Sequence, residues 1–168
     1  MSDVMIQALR QAACYEHPVG DIEIHETHIS WILLTGDYAY KIKKPVDFGS
    51  FLDFSTLEKR RALCEQEVRL NRRLAPSLYL DVVPICGSPE DPRLNGDGVP
   101  FEYAVKMRQF SNRHLFSSLQ AEGELSMELL DDLVDQLVDF HEQAARVEAT
   151  SHHGSAESTR EIVAREFL

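Results

Sequence analysis

The eight residues Tyr38-Ala39-Tyr40-Lys41-Ile42-Lys43-Lys44-Pro45 place charge inside an otherwise apolar strand. Alternation along a strand puts Ala39, Lys41 and Lys43 on one face and Tyr38, Tyr40 and Ile42 on the other. The helix-patterned stretch that follows holds a second awkward charge. At about 100° per residue, Leu63, Glu67, Leu70 and Leu74 fall within roughly 60° of one another, and Glu65 lies on the opposite side beside Arg69 and Arg72. A lysine on a half-buried strand and a carboxylate in an apolar stripe are both costly unless each finds a partner. The arrangement that satisfies both packs the helix on the sheet with Glu67 against Lys41, Lys43 being the second candidate. Two plainer readings stay open: Lys41 as a solubilising charge on an edge strand, and Glu67 paired within its own helix to Asn71 or Arg73.

The surrounding periodicity predicts an α+β fold. Residues 2–14 read as a short helix, with Val4, Met5, Ala8, Leu9 and Ala12 at helical spacing. Period-two segments predict strands near Ile22–His28, Trp31–Leu34, Tyr38–Lys43, Val82–Cys86 and Phe101–Met107, about five antiparallel strands in all. Gly36-Asp37 suits a type II′ hairpin turn, which sets Leu34 opposite Ala39 and Ile32 opposite Lys41. Pro45 ends the third strand. Ser55-Thr56-Leu57-Glu58 matches a capping box ahead of a long helix that Pro76 stops. Gly87–Pro100, rich in Gly, Pro, Asp and Asn, reads as a loop. After Phe110 the pattern is helical. Ser126 is a candidate N-cap for a helix with Leu130, Val134, Leu137 and His141 on one face and Asp131, Asp132, Asp135, Asp139 and Glu142 on the other. A last helix is expected over roughly Glu157–Leu168.

Charge and cysteine content narrow the function classes. A net charge of −11 argues against general nucleic-acid binding, which needs basic surface. No run of apolar residues is long enough to span a membrane, and no basic-then-apolar leader opens the chain. Three scattered cysteines, Cys14, Cys64 and Cys86, form neither a disulfide framework nor a zinc knuckle, so a reducing cytoplasm is the expected compartment. Asp91–Glu102 has the glycine and the terminal glutamate of an EF-hand loop, but Pro92, Arg93 at a ligand position and flanking strands count against calcium. His152-His153 lacks a spaced third ligand, and His141 on an apolar face reads as a core histidine.

With these elements in place, the chain resembles the N-terminal part of the bacterial aminoglycoside-phosphotransferase-like family, within the protein-kinase-like fold. The resemblance is carried by Glu26-Thr27-His28-Ile29-Ser30-Trp31, by Gly36-Asp37 through Val46, by Asp53-Phe54-Ser55-Thr56-Leu57-Glu58-Lys59-Arg60 and by Glu67-Val68-Arg69-Leu70-Asn71-Arg72-Arg73-Leu74-Ala75-Pro76. Val105-Lys106-Met107-Arg108-Gln109-Phe110 and Phe140-His141 continue it. It is closest to the branch fused to a C-terminal P-loop ATPase domain. The resemblance implies a kinase-like small lobe over residues 1–110, followed by the first helices of a large lobe over residues 111–168, truncated.

In such a lobe Lys41 would contact the α- and β-phosphates of ATP and Glu67 would hold that lysine. Ala39 would lie against the adenine ring, Met107–Phe110, including Gln109, would be the hinge, and Thr27–Ser30, with Ser30 as the site residue, the phosphate-covering loop, an ordinary strand connection being the equal alternative there because the loop lacks a Gly-rich pattern. The His-Gly-Asp type of catalytic loop, the Asp that would bind Mg²⁺ and a Walker A pattern are all missing from the sequence. The expectation is therefore the nucleotide-positioning half of a phosphotransferase acting on a small hydroxylated acceptor. ATP binding by this chain alone would be weak or absent, turnover absent, and Mg²⁺ held only by a longer protein. The alternative is a non-catalytic nucleotide-sensing or protein-interaction module that regulates a fused or partner ATPase. Apolar helix faces left uncovered by truncation would invite a homodimer.

Overall fold

Alternating residues in the first third of the chain form three strands, β1 (Glu23–Glu26), β2 (Ser30–Leu34) and β3 (Tyr38–Lys43). In the computed structural model, which describes residues 2–49, 51–148, 151–152 and 154–167, they join β4 (Tyr79–Ser88), β5 (Asp91–Leu94) and β6 (Glu102–Arg108). The result is one antiparallel sheet of order β1-β2-β3-β6-β4-β5. The helices are α1 (Ser2–Ala8), α2 (Leu57–Asn71), α3 (Phe116–Glu122), α4 (Met127–Glu142) and α5 (Ala156–Phe167). The chain divides into two compact units, Met1–Glu124 and Leu125–Leu168.

The sheet has six strands where about five were expected, because Asp91–Leu94 pairs with β4 instead of looping. Its composition hid it. Pro92 cannot donate to a ladder, but β5 is an edge strand, where that loss is tolerated. Gly87, opposite Pro92, has φ +90°, and a Cβ there would stand 2.4 Å from the Asp91 carbonyl oxygen. The β2–β3 hairpin has the expected register, Leu34 opposite Ala39 and Ile32 opposite Lys41. The N-terminal helix is shorter than expected. The Tyr15 hydroxyl donates to the Leu9 carbonyl at 2.7 Å and the Cys14 thiol to that of Ala8 at 3.4 Å. These side chains take up carbonyls that a longer helix would have bonded.

Each face of the sheet has its own core. On one, Leu33, Tyr40, Ile42, Ile85 and Ala104 pack with Met5, Ile6 and Leu9 of the N-terminal segment. On the other, α2 sets Cys64 and Val68 against Val105, with Tyr79, Val82 and Met107 at the margin. This second apolar contact is small, so the seat of α2 depends on charged contacts. Arg60 and Glu102 are both buried and paired twice over: Nε lies 3.0 and 2.9 Å from the two carboxylate oxygens, and Nη2 lies 2.8 Å from Oε2. Arg60 Nη1 also donates to the Phe54 carbonyl at 3.0 Å.

The inward stripe of α2 is Arg60, Cys64, Glu67 and Val68, turned roughly 70° from the leucine stripe read in the sequence, and Leu70 and Leu74 are exposed. The two ion-pair anchors, at Arg60 and Glu67, set this rotation. The cap also falls one residue later than the Ser55 box: the Thr56 side chain accepts from the Lys59 N–H. In the second unit, Ser126 caps α4 as expected, its Oγ accepting from Leu129 N–H at 3.2 Å. Val134, Leu137 and Val138 are exposed, and so is His141, which is therefore not a core histidine. His153 and Leu168 lie outside the described residues. No helix among the described residues is long and apolar enough to cross a membrane.

Candidate functional site

The β3 strand aims Ala39, Lys41 and Lys43 at the α2 face of the sheet, while Tyr40 and Ile42 enter the opposite core. Lys41 Nζ lies 2.8 Å from Glu67 Oε1, the pairing read from the sequence. The second candidate is there too: Lys43 Nζ lies 2.6 Å from Glu67 Oε2 and 5.0 Å from the centroid of the Phe54 ring. One carboxylate thus serves two ammonium groups. Side-chain exposure falls from 26% at Lys41 through 14% at Glu67 to 7% at Lys43, so Lys41 faces solvent most. Neither plain reading holds at this position. Lys41 lies on a strand paired on both sides, and the Asn71 amide donates to the backbone carbonyl of Glu67, not to its carboxylate.

Burial works to raise the Glu67 carboxyl, but the hydrogen bonds and charges of Lys41 and Lys43 outweigh it and hold the group below its ordinary value. Glu67 is therefore ionised through the neutral range. One turn earlier on α2, burial pushes the Cys64 thiol up to about 12, so it is not a nucleophile. Burial, then the Glu67 charge, raises the Tyr79 phenol.

Two residues back along β3, a cleft of about 350 Å³ opens on the same face. Ile32, Leu34, Ala39 and Met107 form its strand side, Gln109, Phe110 and Asn112 come from the segment after β6, and His25 from β1. At about 3.4 Å per residue, Lys41 stands roughly 7 Å beyond Ala39. Its strand side is apolar, with a few polar groups at the rim, the make-up of a small-molecule pocket. Gln109 fixes one side. Its Oε1 accepts from Gly36 N–H at 2.9 Å and its own N–H donates to the Asp37 carbonyl at 3.0 Å, so the β2–β3 turn is tied to the segment after β6. Arg108 N–H likewise donates to the Leu78 carbonyl at 2.8 Å.

The structure therefore brings Lys41 and Glu67 together and gathers Ala39, Met107, Gln109 and Phe110 around the cleft. Ser30 is not part of that lining. It is buried opposite Lys43, with its N–H 3.0 Å and its hydroxyl 3.1 Å from Thr27 Oγ1. Ile29 N–H also donates to Thr27 Oγ1 at 3.3 Å. The N–H groups of Thr27, Ile29 and Ser30 are thus bonded within the turn. Two participants escaped the sequence reading: Lys43 as a full partner of Glu67, and the Arg60–Glu102 pair. The signal for the second was present, since Arg60, Cys64, Glu67 and Val68 recur at helical spacing. Among the described residues no group of three His, Cys, Asp or Glu side chains could hold a metal ion.

Over 136 residues the chain is 36% identical to uncharacterized proteins of Mycobacterium bovis and of two strains of Mycobacterium tuberculosis. The match takes in 79% of this chain and 26% of each relative, so the chain spans about a quarter of the length of the curated relatives it matches. No protein-family profile matches the chain, and no solved structure does.

Proposed function

We propose that this chain is the nucleotide-positioning part of an ATP-dependent small-molecule phosphotransferase of the aminoglycoside-phosphotransferase-like kind, its sheet and α2 being a kinase-like small lobe. The observation that carries this reading is the Lys41–Glu67 pair on the same sheet face as the Ala39–Met107 cleft. Adenine enters the cleft over Ala39, whose small side chain leaves it room. Arg108 and Gln109 N–H groups already donate to Leu78 and Asp37 carbonyls, so main-chain recognition of the base edge falls to Phe110 and to carbonyl oxygens. Lys41, the most exposed member of its cluster, gives a charge-assisted hydrogen bond to the phosphate chain. Mg²⁺, which such a reaction uses to neutralise developing phosphate charge, has no carboxylate cluster to hold it among the described residues.

The second reading, a non-catalytic nucleotide-sensing or interaction module, is favoured by one observation: in the Thr27–Ser30 turn the Ile29 and Ser30 N–H groups donate to Thr27 Oγ1 instead of a phosphate. The phosphotransferase reading and the nucleotide-sensing form of the second both expect nucleotide in the cleft, and neither expects turnover by this chain alone. Amide NMR with ATP tests the shared part, with binding expected to be weak, on the order of 1 mM. Shifts at Ala39, Met107 and Phe110 that vanish in Ala39→Leu are expected. Saturating ATP that moves none of these would sink the site. ATP hydrolysis or transfer by the chain alone would overturn the assignment of catalysis to residues outside it.

A further inference from the structure

The cleft runs across four strands, from Met107 on β6 over Ala39 on β3 and Leu34 and Ile32 on β2 to His25 on β1. At about 4.8 Å between strands that is roughly 14 Å, more than a purine base fills. The β1 end is polar. His25 Nε2 donates to Glu23 Oε1 at 2.8 Å. The two residues share one face of β1, and their cross-strand partners, Ile32 and Leu34, both line the cleft. Resting on the nucleotide reading above, we propose that Glu23 and His25 bind the ribose of the nucleotide, one hydroxyl each, and make the cleft selective for ribonucleotides over deoxyribonucleotides.

The strand register fixes where the sugar falls. A base held at its hydrogen-bonding edge by the main chain at Phe110 has its glycosidic nitrogen on the far side, toward β2 and β1. The phosphates go to Lys41, which shares a cross-strand row with Ile32 and His25. Ala39, Leu34 and Glu23 form the row before it, under the base. The sugar therefore lies between the two rows at the β1 end, where Glu23 and His25 stand. Their donors and acceptors match a vicinal diol. A carboxylate only accepts, so Nε2 carries the proton between them and Nδ1 is left for a ligand. A hydroxyl both donates and accepts, so it pairs with Nδ1 whether the ring is neutral or charged. Glu23 Oε2 has no partner among the described residues and accepts from the second hydroxyl. The same carboxylate repels phosphate, which favours Lys41 as the phosphate end. The fold gains little from the pair: the side chains are 49% and 68% exposed, and such surface ion pairs contribute little to stability.

The test is an amide NMR titration of the 168-residue chain with ATP, 2′-deoxy-ATP and 3′-deoxy-ATP, read at Ala39, Met107 and Phe110. ATP is expected to bind about fivefold more tightly than either deoxynucleotide, the worth of one net hydrogen bond. This comparison needs no variant to fold. His25→Phe is expected to erase the preference over one deoxynucleotide. Glu23→Ala, which also releases the ring, is expected to erase it over both. Both positions are exposed on an edge strand. Equal affinity for all three nucleotides in the unmodified protein overturns the ribose assignment and leaves the nucleotide site standing. A preference for ATP that survives both substitutions does the same. If ATP moves none of the three amides, the nucleotide reading fails and this inference with it.

Discussion

Glu67 is the one carboxylate that Lys41 and Lys43 share on the α2 face of the sheet. Replacing it with Gln leaves two ammonium groups, one of them almost enclosed, with no carboxylate partner, and a loss of roughly 3 kcal/mol in unfolding free energy is expected. The pH dependence follows from the direction of its shift. The folded carboxyl is held below its ordinary value, so its contribution is fully present above the unfolded glutamate value, about 4.3. It is lost as pH falls through the lower folded value. Melting temperatures of the native chain and Glu67→Gln should therefore differ most near neutrality and converge in acid. A gap that widens on acidification would show that Glu67 is not the ionised partner of the lysines. At this scale the sequence was legible as far as the pairing of Lys41 with Glu67, because both charges sat in apolar patterns. It did not reveal that Lys43 shares the carboxylate, since strand alternation places both lysines on the same face and says nothing of reach.

The α2 helix is fastened by charge more than by apolar packing. Glu102→Ala leaves the Arg60 guanidinium buried without its carboxylate, and urea denaturation should show a loss of about 3–5 kcal/mol. The paired replacement Arg60→Met with Glu102→Leu should recover most of it, because the desolvation cost of both ions is then removed together. A double variant as unstable as the single one would mean that the pair does more than fill the site. The N-terminus of the same helix gives a smaller test. Ser55 N–H and hydroxyl both donate to Asp53 Oδ1, at 3.0 and 2.6 Å, which holds Ser55 outside the helix and leaves capping to Thr56. Thr56→Ala should cost about 1 kcal/mol, and Ser55→Ala less. The reverse order would restore the cap to Ser55. The Ser55-x-x-Glu58 pattern misled by one position because two neighbouring residues can both cap, and a carboxylate two residues earlier decided between them.

At the scale of the whole molecule, the described residues of both core clusters lie between Met5 and Met107. A chain ended at Glu124 is therefore expected to fold, with a cooperative melt within a few degrees of the full chain and the Lys41–Glu67 pair intact. Circular dichroism and lysine side-chain NMR on the shortened chain check this, and a non-cooperative melt would show that residues 125–168 are needed for the sheet. On α4 the apolar residues Val134, Leu137 and Val138 are exposed. They show why a histidine on that face, His141, could not be placed from periodicity: a periodic stripe predicts a common side, not a partner to bury it.

What the sequence determined by itself was local and periodic. Period-two runs specified β1, β2, β3 and β6, the Gly36-Asp37 turn specified the register of β2 on β3, and Ser126 specified the start of α4. Each of these follows from interactions among near neighbours. The tertiary structure alone decided three things. It made a strand of Asp91–Leu94, because an edge position excuses Pro92. It set the rotation of α2, because Arg60 and Glu67 find partners on β6 and β3, far away in the chain. And it gathered Ala39, Met107, Gln109 and Phe110 around one cleft while sealing Ser30 into its own turn. Such outcomes depend on which distant groups can satisfy a buried charge or an unpaired backbone, and no local pattern encodes that choice.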